Sequence, residues 1–176
     1  MSETEFWSLI DKARYSVSTV AEMPEWLVDH LKNKPEAIIS DFGRFFRQAI
    51  RRAYDERLWA AAYAISHHFA SDDAFSDFQG WLIAQGREVY ERALVDPDSL
   101  ADLDRFDGED GENARLERML YVADMAYKLR TGGGDLGDFI GMLTPPALQN
   151  EGIWDGKPET LEKIVPRLYS KFECGN

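Results

Sequence analysis

Residues 35–65, PEAIISDFGRFFRQAIRRAYDERLWAAAYAI, decide the fold class. Pro35 suits the first turn of a helix, where its missing N–H is not needed. After it Ile38, Phe42, Phe45, Ala49 and Ala53 recur at helical period as a buried stripe, supported by Ile39, Phe46 and Ile50. Arginines fill the positions between them, so one side of this helix faces water. The run from Arg57 to Ile65 is instead apolar on nearly every side, the pattern of a helix enclosed by others. One amphipathic and one enclosed helix in succession predict a helical bundle.

The same periodicity extends in both directions. Ser2 and Glu5 have the spacing of a capping box, and Phe6, Leu9, Ile10, Ala13 and Val17 follow on one face. Pro24 opens a short helix through Trp26, Leu27 and Leu31, which Asn33 and Lys34 end. Downstream, residues 104–111 are acidic with two glycines and read as an exposed loop. In residues 114–130 Leu116, Met119, Leu120, Ala123 and Tyr127 share a face, and TGGGDLG (131–137) is a break. A terminal helix spans about 158–172, and Pro166 should kink or divide it. No short hairpin turn joins alternating apolar runs, so strands are not expected. The prediction is all-α: one irregular bundle of about six to eight helices over 1–176, less regular beyond 106.

Bulk composition narrows the chemistry. A chain of 176 residues, 44% hydrophobic and 12% aromatic, can bury a sizeable core without staples. Cys174 is the single cysteine, so neither an internal disulfide nor a cysteine metal cluster is expected, and a reducing cytoplasm suits it. No run approaches the roughly 18 apolar residues of a membrane span, and the N-terminus has no signal-peptide pattern. The net charge of −12 disfavours nucleic acid as a partner, because phosphate binding relies on Lys and Arg. It suits solubility, and it suits docking onto a basic partner.

The stretch ASDDAFSDFQGWLIAQGREVYERAL (70–94) holds the strongest candidate face. Ser71 is a good N-cap, and Asp72 and Asp73 favour the positive end of the helix dipole. Phe75, Phe78 and Leu82 face the core. Capping and packing leave one pattern over: Asp73, Asp77, Trp81 and Gln85 follow one another at i+4 in a single row. Two carboxylates so stacked repel by a few tenths of a kcal/mol. They call for an arginine of the same chain, an external cation or a basic partner. Gly80 and Ala84 would let another backbone approach closely. Arg44, Arg47 and Arg51 recur at i, i+3 and i+7 as a candidate anion strip, with Arg52 and Arg57 nearby; its bland reading is a salt-bridged face.

Other chemistries find little support. His67 and His68 point about 100° apart on a helix, too far to share a metal readily, and His30 is distant. No metal or cofactor is expected. Placing Gly111 at the sixth position of an EF-hand loop puts Phe106 and Gly108 at ligand positions, which rules that loop out. P-loop, G-x-G-x-x-G, G-x-S-x-G and H-E-x-x-H patterns are all missing.

FWSLIDKA near the start, LWAAAYAI (58–65) and SDDAFSDFQGWLIAQGREVYERALVDPDSLADL (71–103) resemble the bacterial family catalogued as domain of unknown function 4240. The likeness covers roughly residues 4–105 and implies a helical fold but no reaction. It marks Asp72, Asp73, Asp77, Trp81, Gln85, Gly86 and Arg87 as a candidate face. SHHFA (66–70) departs from the family's Gly-Gly turn, which puts in doubt any pocket needing glycines there.

Two functional expectations follow. The first is a small acidic binding protein, in its sharpest form an immunity-type protein that caps a basic toxin or other cationic partner, with Trp81 or Trp154 as anchors. The second is an enzyme or anion-binding regulator using Asp73 and Asp77 with arginines in a helical cleft.

Overall fold

The computed structural model describes residues 1–66, 71–109, 113–137 and 147–173. Among them the protein is all-α. The described residues form nine α-helices, slightly more than expected: α1 (Glu3–Ser16), α2 (Met23–Leu31), α3 (Glu36–Arg52), α4 (Glu56–Ile65), α5 (Asp72–Ala84), α6 (Arg87–Val95), α7 (Val122–Thr131), α8 (Leu161–Ile164) and α9 (Pro166–Glu173). Short 3₁₀ turns at Val20–Glu22, Pro97–Asp102, Glu117–Tyr121 and Pro158–Thr160 link them. The described residues contain no strand, only an isolated parallel bridge between Asp55 and Gln149. His67, His68 and Cys174 lie outside the described residues, as does most of the SHHFA turn.

Local chemistry sets the helix ends. Ser2 and Glu5 form the capping box of α1, Asp55 caps α4 by accepting the Arg57 N–H, and Ser71 caps α5. The last helix is divided at Pro166, as its missing N–H requires. The buried stripe of α3 is turned slightly from the expected one. Ile39, Phe42, Phe46, Ala49 and Ala53 are buried, while Ile38, Phe45 and Ile50 are half-buried. Apolar residues at neighbouring positions leave the sequence compatible with either rotation.

One contiguous core runs from α1 to α9, with α4 and α5 deep inside it. In α5 every residue from Phe78 to Ala84 is buried. A chain of ring contacts crosses this centre: Trp59 stacks on Phe75 at 4.6 Å, Phe75 meets Phe78, Phe78 meets Trp81, and Trp81 meets Phe106 at 5.9 Å. Phe106 corrects the expectation of an exposed loop over 104–111. Asp104 and Arg105 are exposed, but Phe106 and Gly108 are buried. The Ala114 N–H donates to the Phe106 carbonyl (2.8 Å) and the Glu109 N–H to the Arg115 carbonyl (2.9 Å), folding the segment back over α5.

The C-terminal segment is tied to the rest by three carboxylates, Asp55 and Asp98 buried and Glu56 half-buried. Asp55 accepts from Arg57 and from the Asn150 side chain (2.6 Å), and Glu56 accepts the Ile153 and Trp154 N–H groups. Asp98 takes the backbone N–H groups of Arg167 and Leu168 at 2.9–3.0 Å, capping α9 from another element. Trp154 is half-buried against Tyr63, edge to face at 5.0 Å.

Candidate functional site

The folded-back segment determines what becomes of the acidic row on α5. Gly80 is where it comes closest: a Cβ built there would stand 2.8 Å from the Leu116 carbonyl oxygen. The Leu116 N–H donates to the Asp77 carbonyl at 3.1 Å, so the two backbones touch, as the small residue at 80 allows. Arg115 then lies over Asp77. Its Nε and Nη2 both donate to Asp77 Oδ2, at 3.2 and 2.7 Å. Asp77 is buried and Arg115 half-buried.

The row is therefore not one displayed face. Trp81 is completely buried, and its indole N–H donates to the Asp107 carbonyl at 2.9 Å. Gln85 is half-buried, donates to the Trp81 carbonyl and accepts from Arg14 at 3.2 Å. Asp72 and Asp73 are exposed. Arg87 is exposed at the start of α6, following Gly86, whose φ of +94° suits glycine. The physical reason for the dispersal is that residues 103–109 and 113–121 wrap the row and supply the guanidinium it calls for.

The arginine strip is also divided. Arg44 is exposed, pairs with Asp41 at 3.0 Å and lies over the Phe45 ring. Arg47 borders a small gap with Phe42, Phe46 and Asp124, whereas Arg51 borders a separate cleft of about 370 Å³ beside Phe6, Trp7, Phe45 and Arg52. Arg52 is itself held by Glu91 through two bonds, at 3.1 and 2.9 Å. Glu3 also lines this cleft, so carboxylates offset its guanidiniums.

What remains open is a polar hollow at the N-terminal end of α5. Asp73, Ser76, Asp77, Arg115, Glu117, Leu120 and Tyr121 enclose about 460 Å³. Three carboxylates face one guanidinium, and Arg115 is already bound to Asp77. The field of the hollow is recorded at Tyr121. The Glu117 carboxylate, which accepts the Tyr121 hydroxyl at 3.3 Å, pushes that phenol above its ordinary range, and Asp77 and Asp73 add to the effect.

Tyr121 also begins an apolar row. Tyr121, Met125 and Leu129 succeed one another at i+4 along α7 and are 48%, 50% and 61% exposed. The opposite face of α7, Val122, Ala123, Ala126 and Tyr127, is buried against α2 and α3. Beside the row a second hollow of about 290 Å³ opens towards α2, lined by Pro24, Glu25, Val28, Asp29, Arg118 and Met125. The sequence reading missed this row, although its signal was present. With Leu116, Met119, Leu120, Ala123 and Tyr127 assigned inward, Tyr121, Met125 and Leu129 fall on the opposite side at 100° per residue.

These features define an all-α protein with buried carboxylate clamps and a mixed apolar and acidic surface centred on α7. Among the described residues, no His, Cys, Asp and Glu group of three or more could hold a metal, and no helix is long and apolar enough to cross a membrane. The model of the family described as protein of unknown function, DUF4240, matches residues 1–129, and the chain belongs to that family. The match reaches beyond the expected 4–105 and takes in the wrapping segment and nearly all of α7. No curated protein and no solved structure matched the chain.

Proposed function

We propose that this protein is a binding module for another protein, with a cationic partner favoured by its charge. The observation that carries the reading is the outward row of Tyr121, Met125 and Leu129 beside the acidic hollow. Single exposed apolar residues are ordinary, but three in one row beside concave ground are the composition of an interface core. A net charge of −12 would speed encounter with a basic surface. An immunity-type role, covering a basic toxin, is the sharpest form of this reading. The alternative, an enzyme or anion-binding regulator working through Asp73 and Asp77, has less support, since Arg115 already occupies Asp77.

The test is capture followed by reconstitution. A protein retained from extract by the immobilised chain should, once purified, form a saturable complex whose association slows as salt is raised. If no recovered protein re-forms a complex when pure, the reading is wrong. For the immunity form, co-expression should relieve the toxicity of the recovered partner.

A further inference from the structure

We infer that the groove between α2 and α7 is a docking site for a cationic amphipathic helix of a partner protein. The inference rests on the binding reading above and gives it a place and an occupant. The row from Tyr121 to Leu129 spans eight residues of helix, roughly 12 Å, which matches about two turns of a second helix laid beside it. Pro24 and Val28 of α2 form the facing wall, with Met125 between them. A methionine at the centre adapts to differing side chains better than a branched residue would. Among the described residues the other large exposed apolar side chains, Tyr15, Val95 and Ile153, sit singly on separate elements and offer no second row.

Charge identifies the occupant. Glu25 and Asp29 stand one turn apart on the α2 rim beside Met125, and Asp73 and Glu117 line the hollow that Tyr121 borders. Asp73 and Glu25 have no ion-pair partner among the described residues, and Asp29 is shared with Lys32. Arg118, the cation inside the groove, is bound to Glu109 (3.1 Å) and to the Ala21 carbonyl. Carboxylates thus border the row both at Met125 and at Tyr121. Lys128 and Arg130 are exposed at the Leu129 end, so the cations of the incoming helix belong over the Tyr121 end. A second copy of the chain, itself carrying −12, is the disfavoured occupant.

The probe is a helix-forming peptide of about 18 residues with leucine on one face and lysine on the other, compared with the same peptide bearing glutamate for lysine. Titration should be saturable for the lysine peptide and absent for the glutamate one, with amide shifts confined to α2, α7, residues 115–121 and the first turns of α5. Met125→Ser with Leu129→Ser should weaken binding at least tenfold. Glu25→Gln with Asp73→Asn should weaken it several-fold, and Val95→Ser, on α6, should leave it unchanged. Circular dichroism melting establishes that each variant is folded. Equal affinity of the row variant and wild type, equal binding of the two peptides, or no saturation near 1 mM (~4 kcal/mol of binding free energy) overturns the site. Self-association lost in the row variant would overturn the occupant in favour of a second copy. A purified cationic partner that binds wild type and row variant alike would remove this docking site and leave the binding function standing.

Discussion

Two helices of this protein exchange the roles their sequences suggest. Along α5, Asp73, Asp77, Trp81 and Gln85 look like a chemical face, yet Asp77 is clasped by Arg115 and the indole of Trp81 is sealed inside. Along α7 the row of Tyr121, Met125 and Leu129 carries side chains of the kind that fill cores, yet each is about half exposed or more. The difference lies in what packs on each helix. Residues 103–109 and 113–121 fold back over α5, while on the described residues α7 carries α2 and α3 on one side and solvent on the other. A residue's chemistry says what it could do; the neighbouring backbone decides which side of the surface it does it on.

Substitutions probe that contrast with graded force. Trp81→Ala should be the most damaging, removing a fully buried ring and orphaning the Asp107 carbonyl, at about 3–5 kcal/mol. Urea titration should show the unfolding free energy lowered by that amount, and a loss below about 1 kcal/mol would mean the indole is not core. Asp77→Ala should come next, at about 2–3 kcal/mol, because it leaves Arg115 facing an empty acceptor. The half exposure of Arg115 keeps this below the value for a fully buried pair. A double-mutant cycle with Arg115→Met isolates the coupling, and a coupling energy near zero would contradict the clasp.

Gly80→Ala tests the close approach itself. In most helices that change is stabilising by up to about 1 kcal/mol. Here the new methyl would meet the Leu116 carbonyl at 2.8 Å, so a loss of about 1–2 kcal/mol is expected. A gain in stability would show that the segment can draw back from α5 at little cost.

Much of the fold could be read from local pattern, and the site mostly could not. Helix starts at Ser2, Asp55 and Ser71 are local hydrogen-bond chemistry, and the division at Pro166 is a single missing N–H. The pattern does not fix the rotation of α3, because Ile38 and Ile39, or Phe45 and Phe46, satisfy the same period. The expected stripe through Ile38 and Phe45 is replaced by one through Ile39 and Phe46. The clasp on Asp77 comes from a residue 38 positions away, and Asp98 caps a helix 69 positions away. Neither partner is marked by its own neighbours in sequence. The repulsion expected between Asp73 and Asp77 did signal that a cation was needed, but not that the chain itself would provide one.

A smaller effect reads the hollow from within. Glu117→Gln removes the largest cause of the raised Tyr121 phenol, so its titration should move down towards the ordinary tyrosine range. Ring-carbon shifts of Tyr121 followed against pH would measure it. No movement would mean that the three carboxylates do not share one field, and the acidic side of the contrast would weaken.

The least change is expected where the sequence would forecast a large one. Met125→Ser with Leu129→Ser deletes two large apolar side chains from a helix, a change that in a core would cost several kcal/mol. Both are half exposed or more, so stability should stay within about 0.5 kcal/mol of wild type for each site. The same variant is the one expected to lose peptide binding, which separates surface function from folding. A loss above about 2 kcal/mol would place the row inside a packed interface of the isolated chain, and α7 would then no longer differ from α5.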